Sequence, residues 1–502
     1  MPGSEDRLSA LPDGVLQHVL GFVPPNDAVR TSVLAGRWRH AWRSIRRLRI
    51  SPKDGWDRPQ HLKDFLHALL PPGDHGPILE EAKLDFDGLV EEDDAHVQVW
   101  IRRILSGQAQ VLNVSFIRLG NPPLVSRHLR KLELTDTALE ANILDLASCP
   151  ALEDLIMASC ILSLCKISSQ SVKRLSISGC DFLCDCRPRI AIPSLVWLLL
   201  DSFGGNVPLL GSMPSLKTAL VRPAAYSSDC CKGGELGQCC GSCAECTGDD
   251  DHSGRCVLLG GLSAAVNLEL VAHAGMEMSS DDEKDFIKCE YCEDQRGLCD
   301  RNFLVDDRRF SIKLDETFEV DTRIPCHARI FVLDKIGFSA METMEMILKV
   351  IETSGSMCRR LQFYHYLIFG RDLRWCPTFS NLKTLFLNDW CVAIDFRALL
   401  CILEHSLVLE KLTLQLCKRQ EFITVLAGNC YPLEKLPAIS EHLNAVEIRC
   451  RDIDGRVCRI LKFLSRFVSV TQINIKLTAQ LSTCFSFETW LSPSLANGDD
   501  YS

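Results

Sequence analysis

Cysteine is the residue type with the most chemistry to offer in this chain: 26 of its 502 residues. Seven fall in the Gly- and Asp-rich stretch 222–257, including Cys240-x-x-Cys243-x-x-Cys246, and a second pair, Cys289-x-x-Cys292, sits in the acidic stretch 277–308. A two-residue spacer lets both sulfurs of a pair face one ion, so Cys243, Cys246, Cys289 and Cys292 could hold a Zn²⁺ as four thiolates. The 42 residues between Cys246 and Cys289 exceed compact zinc-ribbon spacing and contain a strand-like segment. Reduced thiols on a surface loop are the simpler reading, and no cofactor is expected. Many other cysteines end an apolar segment, where a small thiol behaves as a buried hydrophobe. With no secretory signal in view, a disulfide framework is not expected either. The usual catalytic signatures are missing: no Gly-rich phosphate loop, no Gly-x-Ser-x-Gly elbow, no His-Glu-x-x-His helix. The 13 histidines are scattered, and His365, between two tyrosines, reads as a strand residue. A non-catalytic protein is expected.

The formal net charge is −10, a poor balance for a protein that must neutralise phosphates, so nucleic acid is not an expected partner. The longest apolar runs, such as residues 195–200, fall far short of the ~20 residues that cross a bilayer. The start, MPGSEDRLSA, has acidic residues and no apolar signal region. A soluble protein of the cytoplasm and/or nucleus, with no membrane partner, is the expectation.

Residues 8–50 read as three short helices. Pro12 suits a first helical position, and Val15, Leu16, Val19 and Leu20 follow at helical spacing. Pro24-Pro25 ends that helix, and Asn26 can cap the next, which carries Val29, Val33 and Leu34. The third places Trp38, Ala41, Trp42 and Ile45 on one face among arginines that read as a solvated face. Helices this short cannot bury all of that surface among themselves. Leu11, Leu16, Val19 and Leu20 are therefore expected to complete their burial against another chain.

The run DRLSALPDGVLQHVLGFVPPNDAVRTSVLAGRWRHAWRSI resembles a plant F-box, through Leu11-Pro12-Asp13, the Leu16/Val19/Leu20 stripe, Ala28–Ser32, Arg37-Trp38 and Trp42. The resemblance implies that this segment binds a Skp-type adaptor and, through it, cullin and RING subunits. Leu11, Pro12, Leu16, Val19, Leu20 and Val33 would contact the adaptor, and Val29, Trp38, Trp42 and Ile45 would form the F-box core.

After a helical connection, roughly 58–105, a unit apolar-x-x-Leu-x-apolar recurs, as in Leu129-Leu132-Leu134, Leu152-Leu155-Met157 and Val172-Leu175-Ile177. Its central positions 132, 155, 175, 198 and 219 are 20 to 23 residues apart, the period of leucine-rich repeats. It returns around Leu268, Leu385, Leu412 and Val446, with a less regular copy at Leu361-Phe363. Each unit should supply one short strand, leucines inward, and stack on its neighbours. The segment 377–418 resembles the FBD-containing C-terminal region of plant F-box/leucine-rich-repeat proteins. The expected fold is thus α/β: a three-helix F-box (6–50), a helical connection (51–110), and an irregular leucine-rich-repeat solenoid (111–465). The solenoid would be interrupted at 222–257 and 277–308, with an FBD-like region at 376–465 and a divergent tail at 466–502. The resemblance implies a substrate receptor of an SCF-type cullin-RING ubiquitin ligase, whose protein substrate the sequence does not identify. The alternative is a repeat-based interaction scaffold with no link to ubiquitin transfer.

Overall fold

The computed structural model describes residues 11–34, 36–51, 59–70, 79–87, 94–120, 124–184, 186–224, 227, 256–272, 369, 372–373, 376–392, 396–416 and 439–477. The proposed zinc ligands Cys243, Cys246, Cys289 and Cys292, the Leu361-Phe363 copy and most of the tail lie outside them. The chain divides into two units, Met1–Ala272 with Leu367–Ser502, and His273–Tyr366. All described residues belong to the first.

The repeating unit becomes a rung of one parallel ladder. In Lys131–Thr135, Asp154–Ala158 and Arg174–Ser178, burial alternates residue by residue, because successive side chains of a strand point to opposite faces. The central apolar residues align in a single register: Leu132 faces Leu155, Leu155 faces Leu175, and so on through Leu198, Ala219, Leu268, Leu385, Leu412 and Val446. All are buried. The column runs further than the leucine spacing indicated. Leu48 of Arg47–Ile50, Ala82 of Glu81–Asp85 and Leu112 of Val111–Ser115 extend it at one end, and Ile473 of Ile473–Leu477 at the other.

One expectation changes here. The helical connection holds helices α3 (Pro59–Leu69) and α4 (Asp94–Ser106), but the strand Glu81–Asp85 runs between them and is a full rung. Its alternation is carried by Ala82 and Leu84, too weak an apolar signal to stand out beside two amphipathic helices. The strand Asn267–Leu270 pairs directly with Thr384–Asn388. Asn388 closes that joint by donating to the Ala272 carbonyl (2.6 Å) and accepting from its N–H (3.0 Å). Buried Trp390 donates to the Leu270 carbonyl (3.1 Å) and stacks on Phe369.

In the central rungs the chain turns at one fixed place. Phe116, Asp136, Ser159, Gly179 and Ser202, each directly after the ladder segment of its rung, have φ of 57, 48, 52, 59 and 51°. This left-handed backbone folds the chain into a second parallel ladder that includes Ala138–Leu139, Ile161–Leu162 and Asp181–Phe182. A third parallel ladder runs through Ile143–Asp145, Lys166–Ser168, Arg189–Ala191 and Leu209–Leu210. The residue after the turn is always buried, and at Thr137, Cys160 and Cys180 its hydroxyl or thiol reaches the carbonyl of Val114, Leu134 and Met157 in the preceding rung.

Candidate functional site

The N-terminal head is built on two α-helices and two 3₁₀ turns. Helix α1 (Asp13–Leu20) starts one residue after Pro12, whose carbonyl accepts from Val15 and Leu16. Helix α2 spans Pro25–Arg30; Pro25 occupies its first turn and Pro24 stands at the cap, so Asn26 is inside the helix rather than capping it. A φ fixed near −65° and a missing N–H suit proline to that place. The expected third helix is a 3₁₀ turn, Ala41–Ser44, and the chain then enters the first ladder strand. Leu48 and Ile50 alternate with arginines, a period of two that ends the helical pattern.

This head rests on the rest of the chain. Trp42 lies 5.4 Å from Phe65 of α3, and the arginine run is largely neutralised within the chain. Arg37 pairs with Asp13 at 2.7 Å, Arg46 with Glu80 at 2.6 Å, and Arg47 and Arg49 both approach Glu81. Trp38, Trp42 and Ile45 are buried and Val29 packs partly against them.

The apolar stripe divides in two. Leu16 and Leu20 are only 1% and 2% exposed, sealed within this chain's own core, so direct contact with a partner does not fit them. Val15 and Val19, one turn apart on the adjoining face of α1, are each 43% exposed, Phe22 is 52% exposed, and Val33 and Leu34 are 85% and 67% exposed. Pro12 is exposed and Leu11 half-buried. A helix step of 100° per residue explains the split: Leu16 and Leu20 share one direction, Val15 and Val19 the next. Phe22 is held between His18, edge-on at 5.1 Å, and the Arg47 guanidinium at 5.0 Å. Single exposed apolar residues are ordinary on a surface, but five within twenty residues of a small head are not.

Residues 8–50 match the F-box domain family. A rice (Oryza sativa subsp. japonica) protein named as a meiotic F-box protein is 31% identical over 206 residues, 35% of this chain and 42% of that one. A putative F-box/LRR-repeat protein of Arabidopsis thaliana is 29% identical over 186 residues, covering 36% of each. A putative FBD-associated F-box protein of the same plant is 28% identical over 206 residues, 39% of this chain and 45% of that one. The chain carries an F-box and is similar to plant F-box/LRR-repeat and FBD-associated F-box proteins. It spans less than half the length of each of these relatives, and no solved structure matches it. The head and the strand face opposite the buried leucines are the two surfaces to read.

On the ladder's other face, the positions between the buried leucines carry mixed chemistry. Ile156, Trp197 and Leu199 stand near the middle. At the far end, Glu447 accepts from Arg449 Nε at 2.6 Å and pairs with Lys476 at 3.1 Å. Burial works against its ionisation, but the hydrogen bonds from Arg449 and Lys476 outweigh it and hold the carboxyl below its ordinary range.

The cysteines divide likewise. Cys149, Cys160, Cys180, Cys391 and Cys450 are buried free thiols. A disulfide framework is not expected from the sequence, and among the described residues one disulfide joins Cys165 to Cys186, because the reversal after Phe182 brings Cys184 and Cys186 back beside Cys165. Cys401 is held down to about 7, first by its hydrogen bond with Cys376 and then by the charge of His405. No helix among the described residues is long and apolar enough to cross a membrane.

Proposed function

We propose that this chain is the substrate-receptor subunit of an SCF-type cullin-RING ubiquitin ligase. Its F-box head docks a Skp-type adaptor, and through it cullin and RING subunits. Its ladder, read as a leucine-rich-repeat solenoid, holds a protein substrate. This reading keeps a head at 6–50, a connection to 110 and repeats to 465, with the strand Arg47–Ile50 shared between head and ladder.

The observation that carries this reading is the exposed set Val15, Val19, Phe22, Val33 and Leu34 on a head whose own core is already filled. Burial of such side chains is worth roughly 1.5–3 kcal/mol each when complete, enough to anchor an interface of about 1,600 Å². Val19 and Val33 stay in the docking set, Leu11 and Pro12 flank it, and Leu16 and Leu20 support it from beneath. No bond chemistry is asked of the chain. Its contribution is proximity: a substrate lysine held near a charged thioester gains effective concentration.

The test is reconstitution. The full chain is combined with adaptor, cullin and RING subunits, and proteins whose ubiquitination depends on the chain are identified by mass spectrometry. Chain-dependent ubiquitin transfer, lost when the head is disabled, is the expected result. A chain that enters the complex without promoting transfer to any protein would point instead to a scaffold.

A further inference from the structure

Cys376, Cys401 and His405 each place one ligand atom within 4.8 Å of the other two. Cys401 lies on the helix Arg397–Glu404 and His405 one turn later at its end, so both project from the same side. Cys376 arrives from the extended segment that leads into the Thr384–Asn388 rung. His405 Nδ1 is 2.8 Å from the Cys401 carbonyl and donates to it, which leaves the lone pair of a neutral imidazole on Nε2. A third thiol, outside that group, reaches the same segment of backbone. Cys401 Sγ is 3.3 Å from the Leu373 carbonyl, and Cys256 Sγ is 3.6 Å from the adjacent Asp372 carbonyl. The segment bearing Cys256 is held there by the buried Asp372 carboxylate, which accepts from the N–H groups of Val257, Leu258 and Leu259 at 2.7 Å.

We propose that Cys376, Cys401 and His405 bind a structural Zn²⁺, and that Cys256, whose sulfur lies outside that 4.8 Å group, is drawn in as the fourth ligand when the ion binds. Thiolates and an imidazole converging from three chain segments are the donor set that a borderline-soft, tetrahedral ion selects. The ion ties the segment entering the short helix Leu259–Leu262 to the next rung and its helix, across the joint where Asn267–Leu270 meets Thr384–Asn388. Binding releases thiol protons to solvent, so affinity rises with pH. The site is separate from Cys165, Cys184 and Cys186, where two of the three sulfurs are already bonded to each other. It does not depend on the ligase reading.

The full chain is loaded with Zn²⁺, dialysed against metal-free buffer and assayed for bound metal. Cys401→Ser and His405→Ala are expected to lose about one equivalent per chain relative to the parent. The controls Cys458→Ser and the Cys243→Ser/Cys246→Ser double variant should retain it. Cys256→Ser should weaken binding by about tenfold or more; parent-like affinity there would overturn the fourth-ligand assignment. A second readout needs no variant: Zn²⁺ should slow alkylation of Cys376 and Cys401 in the parent chain by at least about tenfold, measured peptide by peptide. Parent-like zinc content in both Cys401→Ser and His405→Ala, equal alkylation rates with and without Zn²⁺, or a Cys376–Cys401 disulfide in the unreduced chain would each overturn the proposal.

Discussion

The rungs between Leu112 and Ala219 and the rungs on either side of them use the same ladder register but close their circuits differently. In the middle, Leu112, Leu132, Leu155, Leu175, Leu198 and Ala219 are 20 to 23 residues apart, and the chain returns through short strands. Toward the ends, Leu48, Ala82 and Leu112 are 34 and 30 residues apart, and Leu385, Leu412, Val446 and Ile473 are 27, 34 and 27 apart. Helices occupy most of those returns: α3 and α4 before the middle, Arg397–Glu404 and Gly455–Leu464 after it. A helix advances ~1.5 Å per residue and a strand ~3.3 Å, so covering a similar distance by helix takes more residues. Repeat length therefore reports what lies on the return path.

The comparison can be broken by substitution. Leu175 has a paired rung on each side, whereas Ile473 belongs to a strand paired on one side only among the described residues. Leu175→Ala should cost about 3 kcal/mol and Ile473→Ala about 1 kcal/mol or less, read from urea denaturation of the full chain. Equal losses would mean that the middle is no better packed than the end. Gly205 sharpens the same point, since its φ is +74° and an added Cβ would meet the Phe182 carbonyl oxygen at 2.1 Å. Gly205→Ala should lower stability by about 2–3 kcal/mol, and a neutral result would deny the tight second ladder.

A smaller gain is expected at the left-handed turns. Ser159 takes φ +52° where Gly179, one rung on, uses glycine. Ser159→Gly should raise the denaturation midpoint by the equivalent of roughly 1 kcal/mol or less, because relief of strain exceeds the extra entropy of the unfolded glycine. At the far end, Glu447→Gln should cost roughly 0.5–1 kcal/mol at neutral pH. Because its folded pKa is depressed, Glu447 contributes stability above its ordinary carboxylate value. That contribution fades as pH falls through the folded value, so parent and variant should converge in acid. A gap independent of pH would remove the charge from the account.

The same contrast explains what could be read in advance. The central rungs were legible because each rung there repeats the apolar pattern at a short, regular interval. The strand Glu81–Asp85 was not, since Ala82 carries its central position and long helices flank it. The left-handed turns gave no signal: only Gly179 among the five is a glycine, and of the others Phe116, Asp136 and Ser159 are held there by donating their N–H to carbonyls of the next rung. In the head, the apolar stripe was legible but its division was not, because Leu16 and Val15 differ only in which way α1 turns toward the core. The Cys376–Cys401–His405 grouping joins residues far apart in sequence or one helical turn apart, with none of the Cys-x-x-Cys spacing that advertises a site.

The most direct test of the central claim is adaptor binding by the full chain and by Val19→Asp and Leu34→Asp variants, with circular dichroism melts as the check on folding. Leu16→Asp and Leu20→Asp are set aside because they would disrupt the head itself. The account predicts that the parent co-purifies with a Skp-type adaptor, that both variants lose it at least about a hundredfold in affinity, and that all three melt alike. Variants that fold normally and bind the adaptor as the parent does would contradict it.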